Sequence, residues 1–211
     1  MMGVETGRLI SIQVGVPSTH KDEHGEWTSG FFKSPVASPV RVLDACIEGD
    51  GQADLKHHGG PDKAILAYSA DHFEAWNNEL GNDFSGGAFG ENLTVSGLTE
   101  TDVCIGDQWQ IGGAILEVTQ PRQPCWKLGR RWGDNSLPKL VVQSGRSGWY
   151  LRVLQTGLIS SDSPILRLNR PNPDWTIERA NDTFYRGISD EKIVLASVSE
   201  LSEAWRNELT S

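Results

Sequence analysis

With 211 residues, of which 37% are hydrophobic and 22% charged, the chain can bury a substantial core, which excludes a disordered protein. Its formal net charge of -9 excludes a broad nucleic-acid surface or anionic-membrane surface, yet leaves room for a local cationic pocket. No basic leader followed by an apolar stretch, and no run of about eighteen apolar residues, occurs, so a cytoplasmic location without membrane attachment is expected.

In chain order, the first three quarters read as strands and loops. Leu9 to Val14 alternates apolar and polar residues as a half-buried strand does. Ser69 caps a predicted helix whose Phe73, Trp76 and Leu80 share one face and which Gly81 ends. Asp107 to Ile111 and Ala114 to Thr119 flank Gly112-Gly113, a pair suited to a hairpin turn, and this hairpin leads toward Cys125. A second helix is expected over Leu137 to Gln143, then a glycine-rich loop from Ser144 to Gly148, a strand over Trp149 to Val153 that is apolar on both faces, and a last strand over Ile165 to Leu168. Prolines in Arg170-Pro-Asn-Pro-Asp174 mark a boundary, so residues 1–170 are expected as the main domain and 171–211 as a small helical appendage, with Ser199 capping a helix through Leu201, Ala204, Trp205 and Leu209.

Three cysteines, Cys46, Cys104 and Cys125, are too widely spaced for a zinc knuckle or a paired redox motif, and reduced thiols are the expectation. Cys125 has the best surroundings. In Pro121-Arg-Gln-Pro-Cys-Trp-Lys127 two prolines stiffen the loop, and Arg122 and Lys127 put positive charge near the sulfur, the environment that reactive and metal-binding cysteines share. A buried thiol beside solvated charges explains the same composition. Tryptophans 126, 132 and 149 crowd the following stretch, as the wall of a pocket or as core.

Asp54-Leu-Lys-His-His-Gly-Gly-Pro-Asp-Lys63 forms a second polar cluster, in which Gly59 and Gly60 let backbone approach a ligand closely. Where the chain is extended, His57 and His58 point to opposite faces, so they cannot clamp one metal together. His58 is the candidate proton donor of the pair. Gly90-Glu-Asn-Leu93 offers a carboxylate and an amide in one turn, which turn chemistry alone also accounts for, and Lys33 is either an anion ligand or a solvated charge.

Taken together and in this order, Lys56-His-His-Gly-Gly-Pro-Asp-Lys63, Phe89-Gly-Glu-Asn-Leu93, Gly106-Asp107 and Gln120-Pro-Arg-Gln-Pro-Cys-Trp-Lys-Leu128 resemble the MOSC domain family, and within it the YiiM-like subgroup of N-hydroxylaminopurine resistance proteins. The resemblance covers about Lys33 to Leu168. It implies a mainly β, α+β fold: a β-barrel with a few peripheral helices. It further implies a molybdenum cofactor of the molybdopterin type, with Cys125 as the sulfur ligand to the metal and with Lys33, Lys56, His58, Asn92 and Arg122 around the cofactor, Arg122 complementing its phosphate.

Cys125 and His58 then become the candidate catalytic residues of an oxidoreductase that reduces N-hydroxylated bases or related N-oxygenated compounds to amines. The alternative is a non-catalytic carrier of cofactor or sulfur. The implied partners are a small N-hydroxylated substrate and a separate electron-donating reductase, with no nucleic-acid polymer; the resemblance also admits a homodimer, and pyridoxal phosphate is not an expected cofactor. Two positions depart from the family pattern, Gly51 in Gly49-Asp-Gly-Gln-Ala53 and His57, and the C-terminal part is shorter than the subgroup's helical extension.

Overall fold

A computed structural model describes residues 3–37, 39–53 and 59–211. Its strands are β1 (Val4–Val14), β2 (Ser18–Asp22), β3 (Gly25–Ser29), β4 (Ser34–Pro35), β5 (Val40–Val42), β6 (Ile65–Ser69), β7 (Leu93–Ser96), β8 (Gln108–Ile111), β9 (Ala114–Pro121), β10 (Trp149–Gln155), β11 (Gly157–Ile159) and β12 (Pro164–Asn169). Its helices are α1 (Phe73–Leu80), α2 (Trp126–Trp132), α3 (Leu137–Ser144), α4 (Ile177–Arg186), α5 (Ser189–Ala196) and α6 (Glu203–Leu209).

Seven strands close into a barrel in the order β12, β8, β9, β10, β6, β7, β1, with β1 returning to β12 and β4 appended to β1. Closure removes the unpaired edges that an open sheet would expose. Within the barrel only β6 and β7 run parallel, and α1 lies on the crossover between them. Register shifts between Glu5 and Gly7 and between Leu9 and Ser11 bend β1, so that one strand serves β12, β7 and β4 in turn.

The barrel interior follows period-2 alternation: Leu9, Ile65, Ala67, Val95, Trp109, Leu116, Val118, Trp149, Leu151 and Ile165 are buried in one cluster, with Trp109 and Trp149 packed edge to face at 5.9 Å. A second, aromatic cluster covers part of the outside of β6, where Tyr68 stacks on Phe89 at 4.2 Å and Trp76, Phe84, Leu128, Leu137 and Val141 complete the packing beneath α1, α2 and α3. A cleft lined in part by Phe31 and Phe89 lies beside this second cluster.

The predicted hairpin at Gly112-Gly113 is present between β8 and β9. Ser69 accepts from the Asp71 amide and caps a short 3-10 turn, after which α1 runs to Gly81 in the left-handed conformation. At the C-terminus Ser202, not Ser199, caps α6 by accepting from the Trp205 amide, because residues 197–201 are occupied in turning the chain out of α5. Trp175, Ile177, Leu195, Trp205 and Leu209 from the C-terminal region share the barrel's own hydrophobic cluster. No helix among the described residues is long and apolar enough to cross a membrane.

Candidate functional site

On strand β10, Trp149 and Leu151 point inward, so Tyr150 between them faces outward, with Leu66 of β6 and Gln120 of β9 directly opposite it. Four segments border an open cleft of about 100 Å³ on this outer face. Residues 29–33 form one wall, residues 50–53 and Lys63 another, and Phe89, Gly90 and Asn92 a third; Arg122, Gln123, Cys125 and Lys127 come from the loop that follows β9. Four of the residues singled out in the sequence therefore meet here: Lys33, Asn92, Arg122 and Cys125. Lys56 and His58 lie outside the described residues.

Cys125 is partly exposed, occupies the N-cap position of α2 and makes no side-chain capping bond, which leaves its sulfur free for the cleft. All three cysteines are free thiols. Cys104 is buried against the Pro173 carbonyl, and burial pushes its thiol up, as it does for Cys46, so these two read as structural. Of the three tryptophans near Cys125, Trp149 belongs to the barrel core and Trp132 donates to the Ala88 carbonyl at 2.9 Å. Trp126 is exposed beside Trp27 and Arg130, and none of the three lines the cleft.

The hub of the cleft is a residue that sequence reasoning passed over. Asp50 is buried and accepts from Lys33 Nζ, from the Gly15 amide at 2.9 Å and from Asn92 Nδ2 at 2.9 Å. It ties together three segments that are remote in sequence. Asn92 spends its remaining amide valences on Gln13 O and on the Leu66 amide, so it positions the wall and has few hydrogen bonds left for a ligand. Burial pulls Lys33 below the ordinary lysine value, and Asp50 opposes that pull.

Glu91, the carboxylate of the Gly90-Glu-Asn-Leu93 turn, is fully buried and holds its own loop: it accepts from the amides of Gly87 at 2.6 Å and Phe89 at 3.0 Å and from Thr94 Oγ1 at 3.0 Å. Arg131 bridges the two neighbouring walls by donating to the carbonyls of Phe31 and Gly87, both at 2.9 Å. Phe31 and Phe89 are thereby held at the cleft margin.

Arg122 is 4% exposed. Its Nη2 donates to the Phe89 carbonyl at 3.2 Å, while Nη1 has no hydrogen-bond partner among the described residues, and no carboxylate among them pairs with the guanidinium. With Lys33 and Lys127 also lining the cleft, and Asp50 the one carboxylate among its described lining residues, this is a cationic pocket on an acidic protein. Its chemistry suits an anionic ligand that also presents something for a soft sulfur to bind.

A closed barrel carrying a cysteine-centred cationic cleft on its outer face is the class of protein that the comparisons identify: residues 54–166 match the MOSC domain family, and the chain belongs to it. The solved structure of YiiM from Geobacillus stearothermophilus is 39% identical, covers 96% of this chain and 97% of that one, and superposes with a TM-score of 0.82. In sequence, the chain is 40% identical over 207 residues to the uncharacterized protein YflK of Bacillus subtilis (strain 168), covering 97% of this chain and 94% of that protein. A protein named reductase from Gibberella moniliformis is 37% identical over 157 residues, which are 72% of this chain and 28% of that longer protein.

Proposed function

We propose that the cleft holds a pyranopterin molybdenum cofactor with Cys125 as the protein's sulfur ligand, and that the protein reduces N-hydroxylated bases or related N-oxygenated compounds to amines. The observation that carries this reading is one cleft containing both a partly exposed thiol that makes no capping bond and a buried guanidinium with no counter-ion among the described residues. Molybdenum of this kind takes soft sulfur ligands, and Arg122 and Lys127 complement a phosphate. Cys125 would serve as a single protein ligand to a metal that brings its other sulfurs with it. The residues present fit the group. A further support is the name reductase carried by one relative.

The chemistry such a cofactor supplies when bound is two-electron removal of an oxygen atom. Conversion of an N-hydroxyl group to an amine breaks the N–O bond, consumes two electrons and two protons and releases water. We assign the electrons to a separate reductase in the cytoplasm. His58, which lies outside the described residues, is assigned the proton delivery on its place in the histidine–glycine motif. Within the described cleft, Asp50 and Asn92 hold the walls in register and Arg122 binds and orients anionic oxygen. Phe31 and Phe89 flank the site with apolar surface that limits access of water.

The test is elemental analysis together with reduction of an N-hydroxylated base by an artificial electron donor, on wild type and Cys125→Ser purified from a cofactor-competent host. Wild type is expected to hold about one molybdenum per chain and to turn over, and Cys125→Ser to lose both. Equal molybdenum in the two proteins rejects Cys125 as ligand. Molybdenum without reduction in wild type turns the reading to a cofactor carrier.

A further inference from the structure

Two hydrogen-bond donors of the cleft wall lack acceptors, and the sheet register puts them side by side. Tyr150 stands opposite Gln120, and the Arg122 amide donates to the Gly148 carbonyl at 3.0 Å, so Arg122 stands opposite Gly148. Residues two apart on a strand face the same way, which places the Tyr150 and Arg122 side chains on one face as diagonal neighbours on adjacent strands, a separation that long side chains span. Arg122 is almost wholly buried with Nη1 unpartnered among the described residues, and beside it the half-buried Tyr150 makes no side-chain hydrogen bond among them. Both line the cleft with Cys125. Buried donors are nearly always satisfied, so the Arg122 Nη1 orphan calls for an acceptor from outside the described residues, and the Tyr150 hydroxyl beside it can donate to the same acceptor. A cationic guanidinium with no carboxylate partner calls for that acceptor to be an anion.

We propose that Arg122 and Tyr150 together form a two-donor oxyanion subsite of the phosphate class, with Tyr150 a binding residue of the cleft. This deepens the reading of the cleft as the seat of an anionic cofactor. Burial pushes the Tyr150 phenol up, opposed by Arg122, so the hydroxyl keeps its proton and remains a donor throughout the neutral range. Gly148 contributes geometry: its positive φ of 71° and a Cβ position only 2.5 Å from the Ala67 carbonyl keep a side chain out of the strand end that carries both donors. Two sources present such an oxyanion, the phosphate of the cofactor itself and that of a phosphorylated substrate.

The full chain is purified from a host that makes no molybdenum cofactor, and inorganic phosphate is titrated calorimetrically into wild type, Tyr150→Phe and Arg122→Gln. Wild type is expected to bind one phosphate, Tyr150→Phe to bind it about tenfold more weakly as one donor to a charged acceptor is lost, and Arg122→Gln to show no saturable binding. Phosphate affinity unchanged in Tyr150→Phe, or no binding by wild type, overturns the assignment. Should Tyr150→Phe fail to fold, the ultraviolet difference spectrum of wild type decides: a phenol perturbed by phosphate and not by chloride at equal ionic strength supports the subsite, and an unperturbed spectrum refutes it. Titration into cofactor-loaded wild type separates the sources, since binding abolished by loading assigns the subsite to the cofactor's phosphate and binding retained assigns it to substrate. A wild type that never holds molybdenum rejects the function proposed above and leaves the subsite standing, whereas phosphate binding indifferent to Tyr150 does the reverse.

Discussion

Asp50→Asn tests the hub of the cleft most directly. The carboxylate is buried with Lys33 Nζ, itself 7% exposed, and it also accepts from the Gly15 amide and Asn92. Asparagine keeps the shape and can still accept from the Gly15 amide, but it removes the charge that compensates a desolvated ammonium. Breaking a buried pair by removing one partner costs roughly 3–5 kcal/mol, and the retained hydrogen bond puts this variant near the lower end, about 3 kcal/mol. For a chain of this size that is a fall in melting temperature of roughly 6–12 °C.

The pH dependence has a definite sign. Burial already holds Lys33 below its ordinary value of 10.5, and losing Asp50 lowers it further. Between the variant's lowered value and that of wild-type Lys33, the folded variant has lost a proton that folded wild type and the unfolded chain still carry, so the variant's deficit shrinks as pH rises through that window. Differential scanning calorimetry at pH 7 and pH 9.5 reads both effects. Lys33→Met combined with Asp50→Asn should recover part of the loss, since the uncompensated charge is gone. An Asp50→Asn protein melting within about 2 °C of wild type at both pH values refutes the buried pair.

Glu91→Gln is expected to lose roughly 1–3 kcal/mol in urea unfolding at acid pH, because an amide NH2 must face one of the three donors that the carboxylate accepts. Burial raises Glu91 above its ordinary 4.5, so its contribution in wild type is full below 4.5 and lost as pH rises through the raised value; the gap between the two proteins should narrow toward neutrality. Ser202→Ala removes both the cap of α6 and the 2.6 Å bond from Ser202 Oγ to Gln120 Oε1. It should cost about 1–2 kcal/mol in the same assay, and an unchanged midpoint would show that α6 is held by its apolar face alone.

Local chemistry was legible wherever it was local. Gly112-Gly113 between two alternating segments specified the β8–β9 hairpin, and a helical stripe closed by Gly81 specified α1. The stiff, basic loop around Cys125 suited a reactive thiol, though the residues alone favoured a buried one; the order of four motifs pointed further. Asp50 was illegible because its meaning lies in Lys33 and Asn92, 17 and 42 residues away, and a single aspartate in a turn looks solvated. Tyr150 hid within a strand that is apolar on both faces, where only the register with Gln120 and Leu66 shows that it faces outward. Ser199 was the cap expected from the sequence; the cap of α6 is Ser202, whose hydroxyl also makes a buried bond to Gln120 that no local pattern shows.

The C-terminal helices bear on the cleft through several short paths. Ser202 joins Gln120 and the Thr119 carbonyl, Glu208 accepts from Gln123 at the cleft margin, and Asn181 donates to Ser147, whose hydroxyl donates to the Gly148 carbonyl that also receives the Arg122 amide. The backbone on either side of Arg122 is thus fixed from α4 and α6. That fixing has an energetic reason. A guanidinium left in water would relax its unmet hydrogen bond by moving, whereas one locked in a buried wall keeps it until a ligand arrives, and the cost of holding it there is borne by the shared core of barrel and helices. An anion that satisfied it would stabilise the folded chain by mass action, so a rise in melting temperature with phosphate that Arg122→Gln abolishes is the expected signature.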